Sequence, residues 1–272
     1  SYLIWFELIP PLKHATALNP TPFMNHVTYN PMFAFAAYLV GHQLLFNNSL
    51  VKTKQVLYAF FMTSLSINMF ITGGRAGQIM YFLVLSILIL QFFNSQRIKA
   101  ILVILILIPS IFFLAFSTSP IFKQRVTVAY EEIINYENAK TTSVGQRITY
   151  GINFIELFKE HPLIGVGTGD FPSEIEKIYF VNSPEVPRGG NPHNMYILIL
   201  SQLGLIGLLS FLSIFYIQIK LSYNSSQKLI RNIGFTMPIL FLVIMISDSY
   251  LLGHFTSLLF IAFSSFLYKD FE

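Results

Sequence analysis

The run Ile98–Phe116, IKAILVILILIPSIFFLAF, carries one charged side chain, Lys99, close to its start. A soluble helix of that length shows a polar face recurring every 3.6 residues, and this run shows none. At 1.5 Å per residue it extends about 28 Å, enough to cross the hydrocarbon core of a bilayer. It reads as a membrane span. Working outward, similar runs occur at about 76–93, 54–71 and 30–46 on one side, and at about 194–219, 234–249 and 254–268 on the other. The chain is therefore expected to be all-α, a polytopic transmembrane bundle of about seven spans.

Composition agrees. Of the 272 residues 54% are hydrophobic and 11% are charged, against about 25% charged in a soluble domain. There is no cysteine, which excludes disulfides and thiolate-bound metals. The net charge is +4, but no run of Lys or Arg forms a patch for nucleic acid, so no nucleic-acid partner is expected. The chain opens at Ser1 with SYLIWFELIPP, which reads as the end of a hydrophobic helix cut short. A longer parent lacking its N-terminal part here is expected, and no signal peptide is assigned.

Three parts follow: an N-terminal extracytoplasmic segment with the first spans (1–116), a large polar loop (117–192), and the last spans (193–272). Short-loop cations orient them. Lys52 and Lys54, Arg97 and Lys99, Lys220, Lys228 and Arg231, and Lys269 all fall on one side if the spans alternate. That side is expected to be cytoplasmic. The 72–76 turn, the 117–192 loop and the 247–253 turn then face outward, with Arg75 as the one short-loop cation against the rule.

The loop is expected to be partly helical. Residues 122–138 place apolar side chains at helical spacing. A second helix starts near Thr142 or Ser143 as N-cap and runs to Glu160, stopped by Pro162. Its predicted apolar face is Ile148, Ile152, Ile155 and Leu157 or Phe158, suited to a membrane surface or a small loop core. A third starts at Ser173, with Glu176 completing a capping box.

Three outward-facing residues carry the chemistry. Arg75, in TGGRAG, opens a span where an unpaired cation is costly to desolvate. Arg147, in VGQRITYG, falls in the first turn of the predicted loop helix, where the dipole opposes a cation unless an anion sits beside it. His193, in GGNPHNMY, enters the fifth span behind Asn191 as N-cap and Pro192 as first helical residue. A dipole there disfavours the imidazolium, so a neutral ring is expected to serve as base. Guanidiniums grip phosphate oxygens in fork geometry and stay charged. Together these groups fit transfer from a diphosphate donor to a hydroxyl, the arginines taking the charge that grows on the departing diphosphate. The six histidines show no metal-ligand spacing, and neither a metal nor another cofactor is expected. GVGTGD at 165–170 lacks the GK[ST] ending of a phosphate loop and reads as turns that shape a wall. Asp248 and His254 flank the last outer turn and read first as solvated helix ends, second as borders of the cavity. Glu131, Glu132, Arg125 and Arg188 read as ordinary loop charges.

The order of these motifs, a turn arginine opening a span, a long outer loop, GQR leading a helix, HPLIGVGTGDF, then NPHNMYILILSQLGLIGLLSFL, resembles the O-antigen ligase and O-antigen polymerase superfamily of bacterial envelope enzymes. The match is best from about Gly145 to Leu212. The resemblance implies a membrane-embedded glycosyltransferase of GT-C type in the bacterial inner membrane, acting on the periplasmic face, metal-independent and inverting. It implies that a glycan moves from undecaprenyl diphosphate to a lipid A–core sugar. By motif, Arg75 and Arg147 engage the diphosphate, His193 is the base or orients the acceptor hydroxyl, and Asn194 beside it contacts substrate. The alternatives are a polymerase, which differs in acceptor, and, from another class, a transporter of lipid-linked sugars. A transporter places ionisable groups near the bilayer midplane, whereas the spans here are almost free of charge.

Overall fold

A computed structural model describes residues 1–12, 15–16 and 19–268. Lys269 of the charge pattern and His14 lie outside the described residues. The described residues form helices and no strands. In chain order these are α1 (Tyr2–Trp5), α2 (His26–Phe46), α3 (Lys52–Ile71), α4 (Arg75–Phe92), α5 (Arg97–Thr118), α6 (Pro120–Ile134), α7 (Tyr136–Ala139), α8 (Ser143–Glu160), α9 (Phe171–Asn182), α10 (Met195–Asn224), α11 (Lys228–Ile244) and α12 (His254–Leu267). All seven predicted spans are helical. Three helices, α4, α5 and α10, are long and apolar enough to cross a membrane on length and composition. The protein is a multi-pass, all-α membrane bundle.

Contacts divide the chain into two units, Ser1–Thr127 and Val128–Glu272. In the first, α2 packs on α3 and α4, and α4 on α5. Buried polar groups lock the 72–75 turn between α3 and α4. Thr72 Oγ1 donates to Asn30 Oδ1 at 2.9 Å, and Gln78 Nε2 donates to the Met69 and Thr72 carbonyls at 3.1 and 3.0 Å. These bonds matter because unmet backbone groups at a helix junction are costly away from water. Ser119 Oγ donates to the Phe70 carbonyl at 2.6 Å, so α3 and α5 end together, as alternating spans require.

In the second unit the large loop from Val128 onward and the last helices form one body. Helix α8 packs on α9 and α10, and α10 on α11. The α8 bounds match expectation: Thr142 is the N-cap, accepting from the Gly145 N–H at 3.3 Å. Glu132 Oε2 accepts from the Val144 N–H at 2.9 Å, which gives that carboxylate a capping role. Of the expected apolar face of α8, Leu157 is buried and the isoleucines are not. Gly145, Thr149, Tyr150, Asn153, Phe154 and Leu157 are buried, whereas Ile152 and Ile155 are 47% and 39% exposed. Two buried polar groups explain the buried face. Asn153 donates to Ser183 Oγ at 2.6 Å, and Thr149 Oγ1 pairs with the Tyr136 hydroxyl at 2.9 Å. Helix α9 begins at Phe171, ahead of the expected Ser173, because Asp170 and Pro172 already fit the start of a helix.

Helix α10 is broken at Gly204 (φ 64°, ψ −163°), a conformation essentially restricted to glycine. The glycine-rich segment fills the break. Val166 and Gly167 N–H donate to the Ser201 and Gln202 carbonyls at 3.1 and 2.9 Å. Leu205 and Ile206 N–H donate to the Pro162 and Leu163 carbonyls at 2.9 and 3.2 Å. Residues 162–167 thus satisfy the backbone that the break exposes, as a helix interrupted in apolar surroundings needs.

Candidate functional site

The second unit gathers its polar side chains where three segments meet: α8, the 186–194 loop and the 245–250 turn after α11. Tyr150 of α8 donates its hydroxyl to the Pro187 carbonyl at 2.7 Å, and Tyr179 of α9 donates to the Gly189 carbonyl at 3.0 Å. Burial raises both phenol pKa values, which keeps the donors protonated. These bonds pin the loop that delivers His193. The Tyr150 and His193 rings lie nearly parallel, centroids 6.3 Å apart.

His193 differs from expectation in its place on the helix. The N-cap of α10 is Asn194, whose Oδ1 accepts from the Tyr196 and Ile197 N–H groups at 3.0 and 3.1 Å. His193 precedes the helix with φ 51°, in the left-handed region, so the first-turn dipole argument does not hold for it. Asn191 instead turns the loop. Its Oδ1 accepts from the His193 N–H at 2.9 Å and from Ser249 Oγ at 2.8 Å. The Asn194 amide is engaged at both ends, because Nδ2 donates to the Ile246 carbonyl at 3.1 Å. The resemblance implies a substrate contact for Asn194, and within the chain its hydrogen bonds are to backbone.

Asp248 completes the group. Its Oδ1 lies 3.1 Å from His193 Nδ1 and accepts from the Ser249 N–H at 2.7 Å. Its Oδ2 lies 3.9 Å from an Arg147 guanidinium nitrogen. An ionised carboxylate only accepts, so Nδ1 carries the hydrogen and a neutral ring has Nε2 free to take a proton. Burial alone pushes the Asp248 carboxyl up. The His193 hydrogen bond and charge, the Ser249 N–H and the Arg147 guanidinium outweigh it and hold the pKa below its usual range. Burial first, and then the Asp248 charge, raise the neighbouring Tyr250 phenol.

Arg147 is the fifth residue of α8, at the edge of the first turn where it is expected. An anion of the chain itself, the Asp248 carboxylate, lies beside it. The structure therefore brings two of the predicted residues, Arg147 and His193, around a carboxylate that was read as a helix-end charge. A signal for it exists in the sequence: Asp248 is the sole carboxylate between Glu185 and Asp270. His254 opens α12 and is exposed. Arg188 pairs with Glu176 at the surface. Among the described residues, no three His, Asp or Glu side chains gather in one place to hold a metal. Arg75 opens α4 in the first unit and is half-buried.

The sequence profile of O-antigen ligases matches residues 59–212, more than half of the chain. The chain belongs to the O-antigen ligase family. Arg75, Arg147 and His193 fall within the matched region, and Asp248 lies beyond it. No curated protein matches the chain. Membership makes this O-antigen ligase relative a membrane glycan ligase or polymerase in kind.

Proposed function

We propose that this protein transfers a glycan from undecaprenyl diphosphate to a sugar hydroxyl of lipid A–core on the periplasmic face of the bacterial inner membrane. The observation that carries the reading is the His193–Asp248 pair with Arg147 against the same carboxylate. His193 Nε2 takes the proton of the acceptor hydroxyl as its oxygen attacks the anomeric carbon. The bond from that carbon to the diphosphate oxygen breaks from the opposite face, which inverts the centre. Undecaprenyl diphosphate leaves with the added negative charge. Asp248 holds the ring in the productive tautomer and stabilises the imidazolium that forms, the role of the carboxylate in a Ser-His-Asp triad. Arg147 uses only one edge on Asp248, which leaves N–H groups for phosphate oxygens. Arg75 keeps its expected role as a second diphosphate cation, an assignment supported by its TGGR motif. Transition-state charge is met by fixed guanidiniums, with no metal required.

Deleting the gene and resolving lipopolysaccharide by chain length tests this reading. O-chain disappears from the core while lipid-linked polymer accumulates, and wild type but not His193→Ala restores the ladder. A core that keeps one repeat without a ladder identifies a polymerase, which shares the donor chemistry. An unchanged profile refutes the proposal.

A further inference from the structure

We infer that Arg125, with the 72–75 turn and the apolar cavity next to it, forms a cradle for the phosphate head and proximal chain of a membrane lipid. The inference rests on the reading above, in which the substrate is a phosphate lipid, and gives such a lipid a residue and a cavity within the first unit. Arg125 Nε and Nη2 lie 3.3 Å from the point where a Cβ on Gly73 would stand. The guanidinium thus leans on the turn that Arg75 ends. Asn19 Oδ1 accepts from the Gly73 N–H at 3.1 Å and fixes the same turn.

Arg125 is half-buried, and among the described residues it makes no ion pair and no hydrogen bond. The first unit holds one acid, Glu7, which is exposed. A partly desolvated guanidinium without a counter-charge is costly. No carboxylate of this unit relieves it, so an external anion is the partner that fits, and a planar fork suits phosphate oxygens.

The neighbouring cavity says what kind of anion. A space of about 510 Å³ is lined by Trp5, Phe70, Tyr81, Leu114, Ser119 and Ile121, among others. That volume is in the range of small-molecule sites. Ile121 and Arg125 are four residues apart on α6 and share a face. A cation one helical turn from an apolar cavity matches an amphiphile: phosphate at Arg125, hydrocarbon below. A free phosphate ion would leave the cavity without a role.

Trp5 is the only tryptophan of the chain and lines this cavity, so its fluorescence reads occupancy. The 272-residue chain in phosphatidylcholine nanodiscs is titrated with undecaprenyl diphosphate, with undecaprenol, and with phosphatidylglycerol. Undecaprenyl diphosphate is expected to shift the emission. Arg125→Gln weakens its binding by about ten-fold, Arg125→Lys recovers part of the loss, and undecaprenol binding stays within about two-fold. An equal loss for phosphatidylglycerol supports the phosphate cradle and assigns it to lipid headgroups. Wild-type affinity of Arg125→Gln for both phosphate lipids overturns the inference, as does an emission that none of the probes changes. Gel profiles of the gene deletion run alongside. If the ladder depends on the gene and Arg125→Gln binds normally, the inference alone fails; if the ladder is indifferent to the gene, the functional reading fails.

Discussion

Asp248→Asn isolates the contribution of the dyad. The substitution keeps the side-chain shape and removes the charge. Asp248 Oδ1 takes the His193 Nδ1 hydrogen at 3.1 Å, and Oδ2 sits 3.9 Å from Arg147. An asparagine that turns its amide nitrogen toward Nδ1 forces the hydrogen onto Nε2, where the ring can no longer take a proton. The loss then approaches the full value of a general base, about 10²- to 10⁴-fold in rate. At 1.36 kcal/mol per decade this is about 3–5 kcal/mol of transition-state stabilisation. The upper end equals the effect of the same substitution in a serine-protease triad, about 10⁴-fold. The assay is transfer of labelled glycan from undecaprenyl diphosphate to lipid A–core by purified protein in nanodiscs, with kcat and KM separated. The fall is expected in kcat, with donor KM changed little, because Asp248 stabilises charge that appears on the ring only during reaction. Activity within about three-fold of wild type, in protein shown to be folded, would refute the dyad as the base.

The same carboxylate sets a pH dependence. Its folded pKa lies below the unfolded value, so its contribution to stability is complete above the ordinary carboxylate range, near pH 4, and is lost as pH falls through the lower folded value. The melting-temperature gap between wild type and Asp248→Asn should therefore be widest near neutrality and close in acid. Gly204→Ala places a Cβ 2.3 Å from the Leu163 carbonyl carbon in a conformation alanine avoids; a loss of about 1–3 kcal/mol is expected in detergent melts. Gly145→Ala drives a Cβ to 1.8 Å from the Ala139 carbonyl oxygen and should shift α8, lowering both melting temperature and activity. Gly169→Ala meets nothing within 4 Å and serves as the tolerated control.

Much of the helical layout was legible because lipid solvation imposes a coarse rule: every span is a long apolar run. The start of α8 was legible because Thr142 caps it with its own side chain. The details that failed depend on tertiary partners. Asn191 and Asn194 are equivalent as N-caps in sequence, and the choice falls to Asn194 because Asn191 is used to bind Ser249. On α8 the Ser183 hydroxyl makes burial of Asn153 favourable, while Ile152 and Ile155 stay outward, as a face suited to a membrane surface does. The break at Gly204 leaves no periodic trace, since both sides remain apolar. Asp248 was discounted by type and position, and its isolation among apolar residues was the usable clue.

The placement of charge bears on the choice between an enzyme and a conduit. A conduit needs polar groups along the span, because its cargo must be held at the midplane. Charged side chains of the long apolar helices stand near helix ends: Lys52 and Lys54 on α3, Arg75 on α4, Arg97 and Lys99 on α5, Lys220 on α10, Lys228 and Arg231 on α11. The dyad lies outside the helices altogether, in the loop before α10 and the turn after α11. Met195 N–H donates to the Met245 carbonyl at 2.9 Å, so those two segments are tied by backbone as well as by side chains. A group fixed this way has little freedom to alternate between two faces. It suits a reaction whose base, orienting carboxylate and cation must hold one geometry through the transition state. Ser249→Ala probes that rigidity. It removes the hydroxyl that binds Asn191 and leaves the backbone N–H on Asp248 in place. A conduit tolerates the change. An enzyme of the kind proposed loses rate by about ten-fold, the equivalent of one neutral hydrogen bond spent on positioning. Transfer kinetics at saturating donor decide between them, and an unchanged kcat would count against the preorganised site.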